Sequence, residues 1–255
     1  MYARAPAANA QRNEQAAPHW LSLLGVSEAG GRDYAPRIEG ALPSGLEGSL
    51  YRNGPGLFER GGVRRAHLLD GDGLVQRLSF ADGRVRYQNA FVHTAKFERE
   101  AEAERMLHPT WTTRRPGGWL RNLGGGDVAS QAGVTIYPVH GALIARDETG
   151  PSYLIDPETL ATKDVIGGGG AAPHKRFKAH SKLDPQTGEW LLVGTDFGRT
   201  MSLQEAVYEP QLELRSHQSF AAPRQVYMHD FSQREASSST SYTLVISSPC
   251  HSCSG

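Results

Sequence analysis

The sequence predicts an all-β fold whose short strands pair as antiparallel hairpins, and three observations lead there. The chain has 29 glycines and 15 prolines, and from residue 40 onward they fall largely between short apolar runs, the punctuation of many short strands. Residues 74–80 and 85–92 alternate apolar and polar around Asp82-Gly83, a dipeptide that suits a tight hairpin turn. Two histidines in apolar, strand-like contexts, His180 and His229, stand 49 residues apart, about one four-stranded propeller blade. Positions one blade apart occupy neighbouring sectors at similar depth around a propeller axis.

Length and composition narrow the field. A chain of 255 residues is long enough to bury a core as one large domain or two small ones. Its 27 Lys and Arg balance 27 Asp and Glu, so no basic surface argues for nucleic acid. No apolar run approaches the ~18 residues of a membrane-spanning helix. Residues 1–17 are Ala-rich and polar and lack the apolar run of a secretory signal. Residues 19–24 form a short apolar patch expected to dock on the body, with weak contact to a membrane surface as the alternative. Only Cys250 and Cys253 are present, which fits a reducing, cytoplasmic setting. Their spacing reads as a chance pair in a polar tail.

Taken in order, the elements are as follows. Asp70-Gly71-Asp72-Gly73 invites a calcium reading, but Leu74 stands where the EF-hand pattern needs an oxygen, and the distal Glu is missing. A tight turn into the next strand is expected instead. Residues 97–107 alternate Glu and Arg with Ala, which predicts a short solvated helix with i,i+4 ion pairs. Residues 111–133 read as a loop with little packing capacity. Residues 134–139 and 142–145 form a hairpin about His140-Gly141 and run into Asp147-Glu148. Residues 167–170 are a glycine loop without the Gly-Lys-Ser/Thr ending of a phosphate cradle, and His174 reads as loop. Residues 177–183 and 189–195 are strands joined by Asp184-Pro185-Gln186-Thr187-Gly188, and residues 225–231 read as another short strand. His180 lies in the first of these and His229 in the last. Each alone is as readily a core histidine bonded to backbone. As a pair at blade spacing they can face one axial point, a geometry that suits a metal.

The ordered motifs add a resemblance. Gly48-Ser49-Leu50-Tyr51-Arg52-Asn53-Gly54-Pro55 is followed by His67-Leu68-Leu69-Asp70-Gly71-Asp72-Gly73-Leu74-Val75 and Tyr87-Gln88-Asn89-Ala90-Phe91-Val92-His93-Thr94. Then come Tyr153-Leu154-Ile155-Asp156-Pro157-Glu158-Thr159-Leu160, Ala179-His180-Ser181-Lys182-Leu183-Asp184-Pro185 and His229-Asp230-Phe231. In this order they resemble the N-terminal half of the carotenoid cleavage oxygenases, non-haem iron enzymes that cut alkenes with dioxygen.

The resemblance implies a partial seven-bladed β-propeller of the carotenoid-oxygenase type, with Fe(2+) held on its axis by four histidines. Of these it points to His180 and His229 as metal ligands. It also implies that Glu148 supports a ligand imidazole through its other ring nitrogen, most directly that of His180. Here Arg146 stands where the family has an apolar residue, and Ser152 where it has proline. The implied partners are dioxygen and an apolar polyene or stilbene-like alkene, cleaved to two carbonyl products. The expected organisation is a flexible leader at 1–36, the propeller half at 37–231 and a diverged Ser-rich tail at 232–255, a composition shift that suggests truncation or a frameshift. On that reading the chain alone is a non-catalytic remnant. A metal-free, kelch-like binding propeller explains the blade spacing but not the ordered motifs.

Overall fold

The computed structural model describes residues 30–65, 67–115, 122, 128–148, 150–166, 177–197, 200–222 and 228–232. The apolar patch at 19–24, the glycine loop at 167–170, His174, residues 225–227 and most of the Ser-rich tail with Cys250 and Cys253 lie outside them.

Three four-stranded antiparallel sheets stand in succession along the chain. In the first, β2 (Gly48–Leu57) pairs with β5 (Asp72–Ala81) and β5 with β6 (Arg84–Phe91), while β1 (Asp33–Tyr34) pairs with the far side of β6. Asp33 and Tyr34 fall in the span read from sequence as flexible leader; the ladder to Gln88 and Tyr87 makes them the fourth strand of this blade. The second blade runs β7 (Thr135–Val139), β8 (Ala142–Arg146), β9 (Ser152–Ile155) and β10 (Thr162–Ile166). The third runs β11 (Phe177–Leu183), β12 (Trp190–Phe197), β13 (Met201–Tyr208) and β14 (Leu214–Ala221). A small ribbon, β3 (Glu59–Arg60) with β4 (Val63–Arg64), projects from the first.

The blades meet along β2, β7 and β11, each an edge strand of its own sheet. Proline cannot donate to a ladder, which confines it to edges; Pro55 on β2 and Pro138 on β7 obey this. Two tight turns set register. Asp82-Gly83 and His140-Gly141 both have positive φ at both positions, the twist that matches antiparallel strands. Leu74 thus lies opposite Phe91, Leu78 opposite Tyr87 and Phe80 opposite Val85.

Burial follows from blade stacking. Leu143 and Ala145, with Tyr153 and Ile155 of β9 beside them, face Val75 and Val92 of the first blade. Ile144, between them, faces the third with Phe177, Trp190, Leu192 and Tyr208. Strand β8 is covered on both faces, so its apolar run is continuous rather than alternating.

Two expectations fail for the same reason, long-range burial. The helix α1 (Ala95–Glu102) is capped by Thr94, whose Oγ1 accepts from the Phe97 amide at 3.0 Å. It is not a solvated insertion. Lys96 and Glu100 are buried, with Lys96 Nζ 2.6 Å from Asp72 Oδ1 and 3.0 Å from Glu100 Oε2. Arg65 closes the cluster, 3.2 Å from Glu100 Oε1. Within the span 111–133, residues 131 and 132 also pack more than its composition suggests. Gln131 and Ala132 are buried, and the Gln131 carbonyl accepts from the Gly73 amide at 2.8 Å. A Cβ on Gly73 would stand 2.4 Å from the Ala132 carbonyl oxygen, so glycine is what lets this segment cross β5. Asp70 and Asp72, the carboxylates of the calcium-like motif, serve these contacts. Asp70 accepts from the hydroxyls of Thr112 and Thr113 and from the Thr112 amide.

Candidate functional site

The site forms where β11 passes the inner edge of β7. On β11 the register slips: Phe177 pairs with Gly194 and Ser181 with Leu192, four residues against two. Such irregularities re-aim side chains, and His180 lies within this one. Across the gap, Thr135 and Tyr137 share a face of β7. Thr135 Oγ1 donates to the Ala179 carbonyl at 3.0 Å, and the Tyr137 hydroxyl lies 3.2 Å from His180 Nδ1.

His229 reaches the same point without a strand of its own; residues 228–231 carry no ladder. Packing anchors them instead. Met228 and Phe231 are buried against Leu191, Val193 and Val207 on the outer face of the third blade. Between them Asp230 takes Lys182 at 2.8 Å. His229 itself is half exposed, its side chain at 53%.

The structure brings the two imidazoles together. His180 Nε2 and His229 Nε2 are 3.2 Å apart, with ring planes at 80°. Glu148, at the end of the second blade, is 92% buried at its side chain and stands with Oε1 2.9 Å from His229 Nδ1. The sequence reading favoured His180 as its neighbour. The difference arises because the inner edge of β7 already fills the space behind His180 with Tyr137, while the 228–231 segment brings His229 over the end of β8.

Lys178 Nζ lies 3.7 Å from Glu148 Oε2. Burial pushes the Glu148 carboxyl up, against the pull of His229 and Lys178. Burial pushes the Lys178 ammonium down, against Glu148. Asp147, the preceding carboxylate, turns the other way and accepts from the Gln131 and Ala132 amides at 2.7 and 3.2 Å. Arg146 is fully buried beside Phe177 and Trp190, its guanidinium carbon 6.0 and 5.7 Å from their ring centres. Burial brings its pKa down to about 10.

The donor set fits a divalent metal ion. Two imidazole nitrogens bound to one ion at ~2.1 Å and ~90–110° apart lie ~3.0–3.4 Å from each other; here the separation is 3.2 Å. Both outer ring nitrogens have partners that fix the rings. Among the described residues no group of three or more His, Cys, Asp and Glu is placed to hold a metal. Tyr137 is the residue that sequence reasoning missed. Its signal was available: Thr135 and Tyr137 alternate onto one face of the strand read at 134–139.

Stacked antiparallel blades with paired imidazoles where their inner strands meet define a propeller that gathers polar chemistry toward its axis. Comparison with known proteins says which. The chain belongs to the family described as retinal pigment epithelial membrane protein, RPE65, matched over residues 28–251. Among curated proteins it is 32% identical to apocarotenoid-15,15'-oxygenase of Synechocystis over 205 residues, 76% of this chain and 41% of that protein. It is 32% identical to isoeugenol monooxygenase of Pseudomonas putida over 197 residues, 76% and 40% respectively. A variant of the Synechocystis apocarotenoid oxygenase superposes with TM-score 0.74 at 27% identity, covering 91% of this chain and 48% of that one. The cobalt-substituted Synechocystis enzyme superposes with TM-score 0.72 at 30% identity, covering 82% and 46%. The fold is therefore a partial seven-bladed propeller of the carotenoid-oxygenase type. The chain spans about two fifths of the length of the curated relatives it matches.

Proposed function

We propose that this chain supplies part of an Fe(2+)-dependent oxygenase that cleaves an alkene in a carotenoid, apocarotenoid or stilbene-like substrate. The observation that carries the proposal is the meeting of His180 and His229 at 3.2 Å with Glu148 behind one of them. In this reading the two Nε2 atoms bind the ion. Glu148 stands against His229 Nδ1, and its charge offsets part of the ion's. The chemistry such an ion supplies when bound is activation of dioxygen toward the double bond. Overall, the alkene and dioxygen give two carbonyl products, with one oxygen atom in each. Names among the relatives support the substrate class: apocarotenoid oxygenase, and lignostilbene-alpha,beta-dioxygenase of Sphingomonas paucimobilis, 26% identical over 205 residues.

A second reading concerns the chain by itself. Two imidazoles are half of a four-histidine set, and metal affinity couples to the number of ligands in place. The purified chain alone then holds little iron and turns over nothing.

The test joins this chain to the remaining length of the Synechocystis enzyme and measures iron and carbonyl products from an apocarotenoid and a stilbene. Stoichiometric iron with turnover, both lost in His180→Ala and in His229→Ala, is expected. Retention of iron and turnover in either variant would contradict the assignment.

A further inference from the structure

The ribbon of β3 and β4 turns one cation away from the acid beside it. Its strands pair Glu59 with Arg64 and Arg60 with Val63, and adjacent residues of a strand point to opposite faces. Glu59 therefore shares a face with Arg64, whose Nη1 stands 3.7 Å from its Oε2. Arg60 falls on the other face, opposite an apolar side chain. Its Nε is buried, and among the described residues no hydrogen-bond partner meets it. Its contact is with an aromatic ring: the guanidinium carbon stands 5.2 Å from the ring centre of Phe97.

Arg60 lines a pocket of about 440 Å3, within the range of small-ligand sites. Much of the lining is apolar. Leu57 and Phe91 are buried, and the rings of Phe91 and Phe97 stack with centres 5.3 Å apart at 28°. Backbone holds the walls in place. The ribbon turns at Gly61-Gly62, both at positive φ. A Cβ on Gly61 would stand 2.5 Å from the Glu104 carbonyl oxygen, so glycine is what seats the ribbon beyond the end of α1. Gly30 also lines the pocket, and passes Phe91 so closely that a Cβ there would meet the ring at 2.9 Å.

We propose that this pocket binds a small aromatic carboxylate, with its ring against Phe91 and Phe97 and its carboxylate on Arg60. The planar fork of a guanidinium matches a carboxylate, which takes two parallel N–H bonds from it. A flat ring beside a stacked aromatic pair gains from ring contact beyond the area it buries. A ringless anion leaves the apolar lining unused, and an uncharged ring leaves the buried Arg60 Nε without an acceptor. Neither His180 nor His229 lines the pocket, so the proposal stands apart from the metal reading.

The experiment is 15N NMR of arginine side chains in the intact chain, with the Arg60 Nε–H signal identified by its absence in Arg60→Leu. Sodium benzoate is the probe. Benzyl alcohol supplies the ring without the charge, and acetate and octanoate supply the charge without the ring. Benzoate should move the Arg60 signal saturably. Acetate and benzyl alcohol should bind about 10-fold more weakly, the loss of the ring's buried area or of a charged hydrogen bond. Calorimetry should find benzoate affinity about 10-fold lower in Arg60→Leu, with far-UV circular dichroism as a folding check. It should be unchanged in Arg84→Leu, which removes an exposed cation elsewhere on the first blade. No saturable shift of the Arg60 signal would overturn the site, and that measurement on the unaltered chain needs no variant to fold. Octanoate binding as tightly as benzoate would overturn the aromatic class. Undiminished affinity in Arg60→Leu, or an equal loss in Arg84→Leu, would overturn the role of Arg60.

Discussion

Two of the charge clusters among the described residues are built to opposite ends. Around α1, two cations and two carboxylates, Arg65, Lys96, Asp72 and Glu100, are all buried and sum to zero. Glu100 Oε1 also accepts from the Leu107 and His108 amides, each at 2.8 Å. Around Glu148 the buried part is the same kind of pair, Lys178 with a carboxylate, but it opens onto two imidazoles, one of them half exposed. The first cluster is complete within the fold. The second brings two imidazole nitrogens to one point at its edge. The contrast teaches that burial of charge alone does not mark a site; a site needs donor atoms that converge on one point.

The largest effect that separates the two is in stability. Lys96→Met strands Asp72 in the interior, and breaking a buried pair costs about 3–5 kcal/mol. Urea unfolding of the chain should show that loss. Glu148→Gln takes the carboxylate from buried Lys178 as well, but its other neighbour, His229, is half exposed, so a smaller loss than in Lys96→Met is expected, with metal affinity about 10- to 100-fold lower. Equal stability losses in the two variants would erase the distinction.

Next comes the packing beneath the first cluster. Gly73→Ala forces a Cβ against the Ala132 carbonyl and should cost about 1–3 kcal/mol, read in the same unfolding experiment.

Acid sensitivity sharpens the contrast further. Burial pushes the Asp70 carboxyl up, but bonds from Thr112 and Thr113 outweigh it and hold the group below the usual carboxylate range. A lowered acid contributes stability that is present above its unfolded pKa of ~3.9 and lost as pH falls through the folded value. Asp70→Asn should therefore flatten the stability curve below pH ~4 and leave metal affinity at neutral pH untouched. The smallest effect is in a turn remote from both clusters. Gly141→Ala meets open space but keeps positive φ, so about 1 kcal/mol of strain is expected in unfolding.

What the sequence made legible was local. Asp82-Gly83 and His140-Gly141 each state their turn in two residues, and the alternation beside them states the face. The 49-residue spacing of His180 and His229 carries blade geometry because a blade has nearly constant length. What was hidden depended on distant partners. Nothing within residues 97–107 says that the turn before Phe97 pairs with Asp72, or that Glu100 meets Arg65 35 residues earlier. Residues 128–133 look like loop because their packing is through backbone, which sequence patterns do not record. Glu148 was read toward the wrong imidazole because both histidines lie in separate segments, and only the packing of Met228 and Phe231 decides which ring comes near.

The central claim is that His180 and His229 bind one ion. Titrating the chain with Co2+ and following both imidazoles by proton NMR tests it most directly. The expected result is paramagnetic shifts on both rings with one shared dissociation constant, and loss of the His229 shifts in His180→Ala. Shifts on one ring alone, separate constants for the two, or His229 shifts that survive His180→Ala would contradict it.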